Sequence, residues 1–242
     1  MKLTIDWAAT QMYNTTMAVV TGVALLLIIQ FLNKIKKGQV EQLEGWSVGF
    51  GAMGFILTLT GAHMTLTWPL AEVGFPFDDI IFGEPTLVLG VILLGIAVLL
   101  WRKANTYTKA GVNDKATLAK HLQKDIASLM RPLAWIGAAM GGALISIAIA
   151  GITYKLFAAP PEEPISGAFA AYPMVEATFI SGLYAITGIG AICFPFVLKT
   201  HQLFSSSLYK ILIICWKIAG YVFVLFGIMN FFTHIGLIVN TM

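Results

Sequence analysis

Residues 61–90 read GAHMTLTWPLAEVGFPFDDIIFGEPTLVLG and contain most of the unusual chemistry of the chain. They end one long apolar segment near His63, cross a short loop that holds Asp78 and Asp79, and begin the next apolar segment at Glu84. Hydrophobic residues dominate the chain as a whole. This stretch therefore predicts a short connection between two membrane-spanning helices, with polar side chains gathered at the turn.

The composition is that of a membrane protein. Hydrophobic residues make up 58% of the 242 residues, charged residues only 11%, and the mean hydropathy is +0.82. In a soluble domain about a quarter of the residues are charged. The period-2 alternation of a membrane barrel is missing. Helices are then the only spanning structure, since each one satisfies its own backbone hydrogen bonds.

Six apolar segments are about as long as a helix must be to cross the bilayer. Together they predict an all-α integral membrane protein in which residues 1–242 form a single six-helix transmembrane domain. The segments are residues 17–32, 46–67, 86–101, 133–157, 174–198 and 212–238.

The distribution of basic residues predicts the orientation. All of the 15 lysines and arginines except Lys2 and Lys155 fall in connections on one side of the predicted membrane. By the positive-inside rule that side is cytoplasmic, which places both chain termini and an acidic face outside the cell membrane. The pI near 8.8 thus reflects topology, and no basic patch with interleaved aromatics indicates nucleic-acid binding.

Between the third and fourth segments, residues 113–131 turn polar. Leu118, Leu122, Ile126 and Leu129 follow one another at helical spacing among lysines. This pattern predicts a cytoplasmic amphipathic helix that lies along the membrane surface.

A faint internal repeat relates the third and fifth segments. Both begin with E-x-T-x-x-x-G, at residues 84–90 and 176–182. The match predicts that spans 2–3 and 4–5 form a parallel repeat of two hairpins, related by an axis along the membrane normal. Glu84 and Glu176 would then occupy equivalent places around that axis.

Several ionisable residues are predicted to gather in the outer leaflet. Placing such side chains in the membrane costs free energy, so their presence there suggests a functional site. Imidazoles with carboxylates are the ligands of zinc, iron and copper sites, although no short-spaced metal motif is present. The predicted metal ligands are His63, Glu84, Glu176, Asp78 and Asp79, with His234 as a further candidate.

Haem b is an alternative use of the histidines. A bis-imidazole site needs one histidine from each of two helices, and His63 and His234 lie at similar predicted depth. Simpler explanations exist for the residues of both sites. Glu84 and Glu176 stand at helix starts, where a carboxylate is stabilised by the helix dipole. A hydrogen bond to a neighbouring helix would account for His63.

The elements G-A-H-M-T-L-T-W-P-L (residues 61–70) and F-G-E-P (residues 82–85) resemble a family of uncharacterised multi-spanning membrane proteins of bacteria and archaea. The resemblance implies an integral membrane protein and implies no activity. Three functions stay open from the residues: a redox or metal-dependent membrane protein or complex subunit, a small proton- or cation-coupled transporter or channel, and a structural subunit. The expected partners of the chain are the lipid bilayer and either other membrane proteins or further copies of the chain.

Overall fold

The computed structural model describes residues 14–67, 77–112, 114–199 and 203–242, and in these ranges the ordered elements are helices. A single π-helical turn, Asp79–Gly83, leads directly into the third helix, and a short 3-10 helix, Ser166–Phe169, lies between the fifth and sixth. The α-helices are α1 (Asn14–Lys36), α2 (Leu43–Leu66), α3 (Glu84–Lys109), α4 (Lys115–Leu129), α5 (Arg131–Tyr154), α6 (Pro173–Lys199) and α7 (Ser207–Thr241).

Six of these helices are long and apolar enough to cross a bilayer, which confirms the predicted spans. The helices extend past the apolar segments at most ends, because a helix does not stop where its hydrophobic stretch stops. Their outer faces carry large exposed apolar side chains, and such faces are the ones that contact lipid. Examples are Phe55, Leu59, Ile149 and Phe232.

The spanning helices pack as three antiparallel pairs: α2 with α3, α5 with α6, and α1 with α7. Glycines allow the close approach within each pair. A Cβ built on Gly188 of α6 would lie 2.6 Å from the Gly141 carbonyl oxygen of α5, and one on Gly22 of α1 would lie 2.6 Å from the Gly220 carbonyl oxygen of α7. Small residues of this kind drive helix association in membranes, where no hydrophobic gain is available.

The contact between Gly141 and Gly188 should be sensitive to a single methyl group. We expect Gly188→Ala to lower the thermal unfolding midpoint in detergent, because its Cβ would overlap the Gly141 carbonyl and force α5 and α6 apart. Gly182→Ala is the matched control in the same helix, since a Cβ there meets nothing within 4 Å. A midpoint that falls equally in both variants would contradict this account of the pairing.

Glycine packing also tests the predicted register of the internal repeat. Gly90 of α3 is buried, and a Cβ built there would lie 2.5 Å from the Thr58 nitrogen of α2. Gly182, its counterpart in the E-x-T-x-x-x-G match, faces open space. Thr86 is buried while Thr178 is exposed. The two motifs therefore occupy different environments, one packed against a neighbouring helix and the other exposed.

The polar segment after α3 forms the predicted amphipathic helix, α4. Asp114 caps it by accepting a hydrogen bond from the Thr117 backbone N–H at 2.8 Å. Leu122 is buried in an apolar cluster together with residues of α1, α2 and α3. Leu118 and Ile126 pack partly against that cluster, whereas Leu129 is exposed. The helix thus covers the ends of the spans rather than lying wholly against lipid.

One polar contact fixes α4 to α3. Asp125 accepts a hydrogen bond from the Tyr107 hydroxyl at 2.5 Å and lies 2.6 Å from the Lys103 ammonium nitrogen. Burial opposes ionisation of Asp125, but Lys103 and Tyr107 outweigh it and hold the pKa of this carboxyl below its ordinary value. The end of the bundle that carries this contact and most lysines is called the basic end below. The acidic end is the opposite one, which holds Asp78, Glu84, Glu163 and Glu176.

Candidate functional site

A cavity of about 310 Å³ lies at the centre of the bundle, between the three helix pairs. All six spanning helices contribute to its wall, α2 only through Met64. Its volume falls at the lower end of the range of small-molecule sites, about 300 to 1,000 Å³. On α6 its lining runs from Glu176 to Phe194, which at 1.5 Å per residue is about 27 Å along the helix axis. The cavity is therefore long and narrow.

Most of the cavity wall is apolar, and the ionisable carboxyl and imidazole groups in it lie at the acidic end. Three carboxylates line that end, those of Asp78, Glu163 and Glu176, together with the imidazole of His234 and the amide of Asn230. None of the described residues that line the cavity is a lysine or an arginine. The acidic end thus has three carboxyl groups and no lysine or arginine in the described wall to balance them.

The loop between α5 and α6 folds over the acidic end of the cavity. Its backbone is tied to α6 because the Ala159 N–H donates to the Glu176 carboxylate at 2.7 Å. The Asn240 amide at the end of α7 donates to the Glu162 carbonyl at 2.8 Å. This loop places Glu163 in a buried position, with an Oε1 that lies 3.7 Å from His234 Nε2. The two side chains form an ion pair when the imidazole is protonated.

The π-helical turn before α3 brings the third of these carboxylates, that of Asp78, to the cavity. A π turn leaves backbone groups outside the regular helical ladder and occurs often at functional sites. Here the Tyr184 hydroxyl of α6 donates to the Ile81 carbonyl at 2.7 Å, and Phe157 stacks on the Tyr184 ring. This bond fixes the turn, and the Asp78 carboxylate directly before it, against α6.

Among the described residues, three that line the cavity have a buried polar side-chain atom without a hydrogen-bond partner: Asn14 through Oδ1, His234 through Nδ1 and Asn230 through Oδ1. The Asn230 side chain lines the cavity and is only 6% exposed. Its Oδ1 atom has no hydrogen-bond partner in the part of the chain that the structure describes. A buried acceptor without a partner costs about 1 to 3 kcal/mol, so a position of this kind points to a donor supplied from outside the protein.

Burial also changes the acidity of the carboxyls that stand outside the spans. It raises the pKa of Asp78 to about 7, with a smaller contribution from the neighbouring charge of Asp79. Burial likewise raises the pKa of Glu163 above its ordinary value. Near neutral pH, small changes in the surroundings therefore decide whether Asp78 carries a charge.

The ionisation of Asp78 should be visible by infrared spectroscopy. The difference spectrum between the protein and its Asp78→Asn variant should show a protonated carboxyl C=O band at pH 6 that is lost by pH 8. Because the pKa is raised in the folded state, the protonated form stabilises the fold, and this contribution is lost as the pH rises through about 7. A carboxyl already ionised at pH 5.5 would contradict this description of the site.

The structure separates the residues that were predicted to form one group. Asp78, Glu176 and His234 line the cavity, whereas His63, Glu84 and Asp79 do not. His63 and Glu84 are exposed on the outside of the bundle. Asp79 is buried, and its Oδ2 has no hydrogen-bond partner among the described residues. Glu84 stands in the first turn of α3 beside Pro85, the ordinary place for a carboxylate at a helix start.

The packing of α2 places His63 on the exposed side of the helix. Seven of the eight buried residues of α2 recur at alternating steps of four and three along the helix: Leu43, Ser47, Phe50, Gly54, Leu57, Gly61 and Met64. Met53 is the eighth. Gly61 and Met64 belong to the packing face nearest His63, and His63 itself is exposed. The threonines on the same side of α2 as His63 bond to their own helix: Thr60 donates to the Ile56 carbonyl and Thr67 to the His63 carbonyl.

These positions bear on the predicted metal and haem sites. Within the described ranges, no three His, Cys, Asp or Glu side chains are grouped so that they could hold a metal ion. The histidine pair predicted for haem b is divided, because His234 faces the cavity and His63 faces away from it. Trp68 and Pro69, which belong to the sequence motif after His63, lie outside the described residues.

Two residues of the site were not predicted. Glu163 looked like a solvated loop residue, because it follows Glu162 in a proline-rich turn, and nothing in that pattern distinguishes the buried glutamate from the exposed one. Tyr184 carried a usable signal. Tyrosines of spanning helices collect at the membrane interfaces, so one placed well inside α6 needs a buried hydrogen-bond partner.

The fold defines an all-α, multi-pass membrane protein with a central cavity. The chain belongs to the family described as "Protein of unknown function (DUF981)", whose model matches residues 8–236. No curated protein matches the chain. No solved structure matches it either.

Proposed function

We propose that the protein is a membrane carrier that binds a small organic cation in the central cavity. The observation that supports this function best is the charge of the cavity wall. Three carboxylates line its acidic end, and the described lining contains no lysine or arginine. A site of this composition attracts positive charge and repels anions.

The physical argument concerns the surroundings of these carboxylates. Glu163 is buried, Asp78 and Glu176 are partly buried, and the rest of the cavity is apolar. Charged groups removed from water must be neutralised by a proton or paired with a cation. An ammonium group placed among the three would supply that charge and several N–H donors at once.

The proposed orientation gives the cavity access to the exterior. The basic end carries Lys34, Arg102 and α4, and by the positive-inside rule it faces the cytoplasm. The acidic end then lies on the extracytoplasmic side of the cell membrane, with both termini. Cations would enter there, next to the loop between α5 and α6.

A redox or metal-dependent function has less support from the same residues. A transition-metal site uses three or four convergent ligands, and the carboxylates and imidazole of the cavity are not grouped in that way. A bis-histidine haem site would need His63, which faces away from the cavity. A structural subunit without a site does not explain why an unpartnered Asn230 is kept in the wall.

Charge-displacement recording on a solid-supported membrane tests this proposal. Proteoliposomes should show a transient positive current into the liposome when ethylamine hydrochloride replaces sodium chloride, and the current should persist if the cation is released on the far side. Empty liposomes report the passive permeation of the neutral amine. Equal currents from empty and protein-containing liposomes would refute cation binding and leave a structural role.

A further inference from the structure

We infer that the ligand of the central cavity is an amphiphilic primary amine, with its ammonium group at the acidic end and an apolar chain along the bundle axis. This inference rests on the proposed function and names its substrate class. Two independent features carry it: the shape and polarity of the cavity, and the unpartnered acceptor of Asn230.

The first feature is the apolar body of the cavity. From the acidic end it continues between Leu89 and Ile92 of α3 and Ile180 and Leu183 of α6 toward the indole of Trp216. The Trp216 N–H is already bonded to the Thr187 carbonyl at 3.2 Å, so this part of the wall presents no polar group in search of a partner. A small hydrated ion would leave this region without contacts, whereas an alkyl chain would fill it.

The second feature selects the chemistry of the head group. Asn230 Oδ1 is an acceptor, it is buried, and it lines the same cavity as the three carboxylates. An acceptor is satisfied by an N–H or O–H donor and by no methyl group. A primary ammonium group has three N–H donors, while a quaternary ammonium group has none. The site therefore favours a primary amine over a quaternary ammonium amphiphile of equal charge and chain length.

Charge excludes the other common amphiphiles. A fatty acid would place its carboxylate next to those of Asp78, Glu163 and Glu176. Neighbouring charges of the same sign repel strongly in a medium of low dielectric constant. A primary alkylamine has a pKa of about 10.4 by analogy with lysine, so it is protonated at neutral pH.

The test uses the full chain in nanodiscs and measures affinity by calorimetry, with empty nanodiscs as the blank. The probes are ethylamine, a series of straight-chain amines from butylamine to docosylamine, whose extended chain matches the length of the cavity, decyltrimethylammonium and decanoate. We expect the affinity to rise with chain length up to a limit set by the end of the cavity. Partitioning into lipid alone continues to rise with each methylene, so a limit identifies the protein site. Decylamine should bind at least about tenfold more tightly than decyltrimethylammonium, and decanoate should not bind.

Two variants assign the effects to the two features. Gly137 lines the apolar part of the cavity, and a Cβ there meets only Ile92 Cδ1 at 3.7 Å. Gly137→Leu should thus fill space without breaking the bundle, and should move the limit to shorter chains while ethylamine binding is kept. Asn230→Leu should remove the preference of decylamine over decyltrimethylammonium and leave the charge requirement intact.

The outcomes separate this inference from the proposed function. Suppose that ethylamine binds but that longer chains bind no more tightly once the blank is subtracted, or that decyltrimethylammonium binds as tightly as decylamine. The inferred substrate class, an amphiphilic primary amine, is then wrong, and the proposed cation carrier stands. If no amine binds, or if decanoate binds in their place, both are wrong.

Discussion

Loss of the Asp78 and Glu176 carboxylates, in an Asp78→Asn, Glu176→Gln double variant, should weaken ethylamine binding about 100-fold or more. Removal of one partner from a desolvated charge pair costs about 2 to 5 kcal/mol, and each 1.4 kcal/mol is a factor of ten in affinity. Both side chains line the acidic end of the cavity, and both substitutions keep the volume and remove the charge. Calorimetry in nanodiscs measures the effect directly.

The matched control is Glu84→Gln. Glu84 also stands at the start of a spanning helix at the acidic end, but it is exposed and does not line the cavity. Its substitution should leave the affinity within about twofold, since long-range attraction between exposed charges is screened by salt. If Glu84→Gln weakened binding as strongly as the double variant, the general negative field of this end, and not the cavity, would be responsible.

Tyr184→Phe should destabilise the protein by about 1 to 3 kcal/mol, the cost of leaving a buried carbonyl without its partner. Tyr184 is buried, and its hydroxyl is the donor to the Ile81 carbonyl in the π-helical turn. The effect should appear as a lower midpoint in thermal unfolding. We also expect weaker ethylamine binding, because the same bond holds Asp78 at the cavity.

Tyr221→Phe provides the comparison for this variant. Tyr221 lies on α7 with 54% of its surface exposed, so the loss of its hydroxyl should change the midpoint little. Equal midpoints for Tyr184→Phe and the unmodified protein would mean that the π-helical turn is held by its packing alone.

The number and order of the spanning helices could be predicted from the sequence because lipid imposes a strong and simple constraint. Any chain segment that crosses the hydrocarbon must be helical and mostly apolar, so mean hydropathy alone finds it. The position of α4 was also predictable. Leu118, Leu122 and Ile126 follow one another at helical spacing, and the lysines among them favour a helix at the membrane surface over a span.

The inward face of each span was much harder to predict. Lipid is as apolar as a packed helix interface, so hydrophobic periodicity does not distinguish the two sides. α2 illustrates this: His63 was a predicted ligand on this helix, whereas the packing face is made by the small and apolar residues Gly54, Leu57 and Gly61. In spans of this composition the pattern of small residues indicates the interface better than the pattern of polar ones.

The site itself depends on contacts that the sequence separates widely. Asp78 and Tyr184 are far apart along the chain, and Glu163 reaches His234 only because the loop after α5 folds back over the bundle. Asn230 and His234 are the exception. They are four residues apart on one face of α7, and the structure places both in the cavity wall.

Photoaffinity labelling with a dodecylamine that carries a diazirine at the end of its chain tests the central claim most directly. The claim is that the cavity holds an amine head at the acidic end and an apolar chain beyond it. Peptide mapping should then find the label on cavity residues about one chain length from the carboxylates, such as Thr187 or Trp216, and excess decylamine should suppress it. Label confined to outward-facing residues such as Phe55 and Ile149, with no competition by decylamine, would contradict the account.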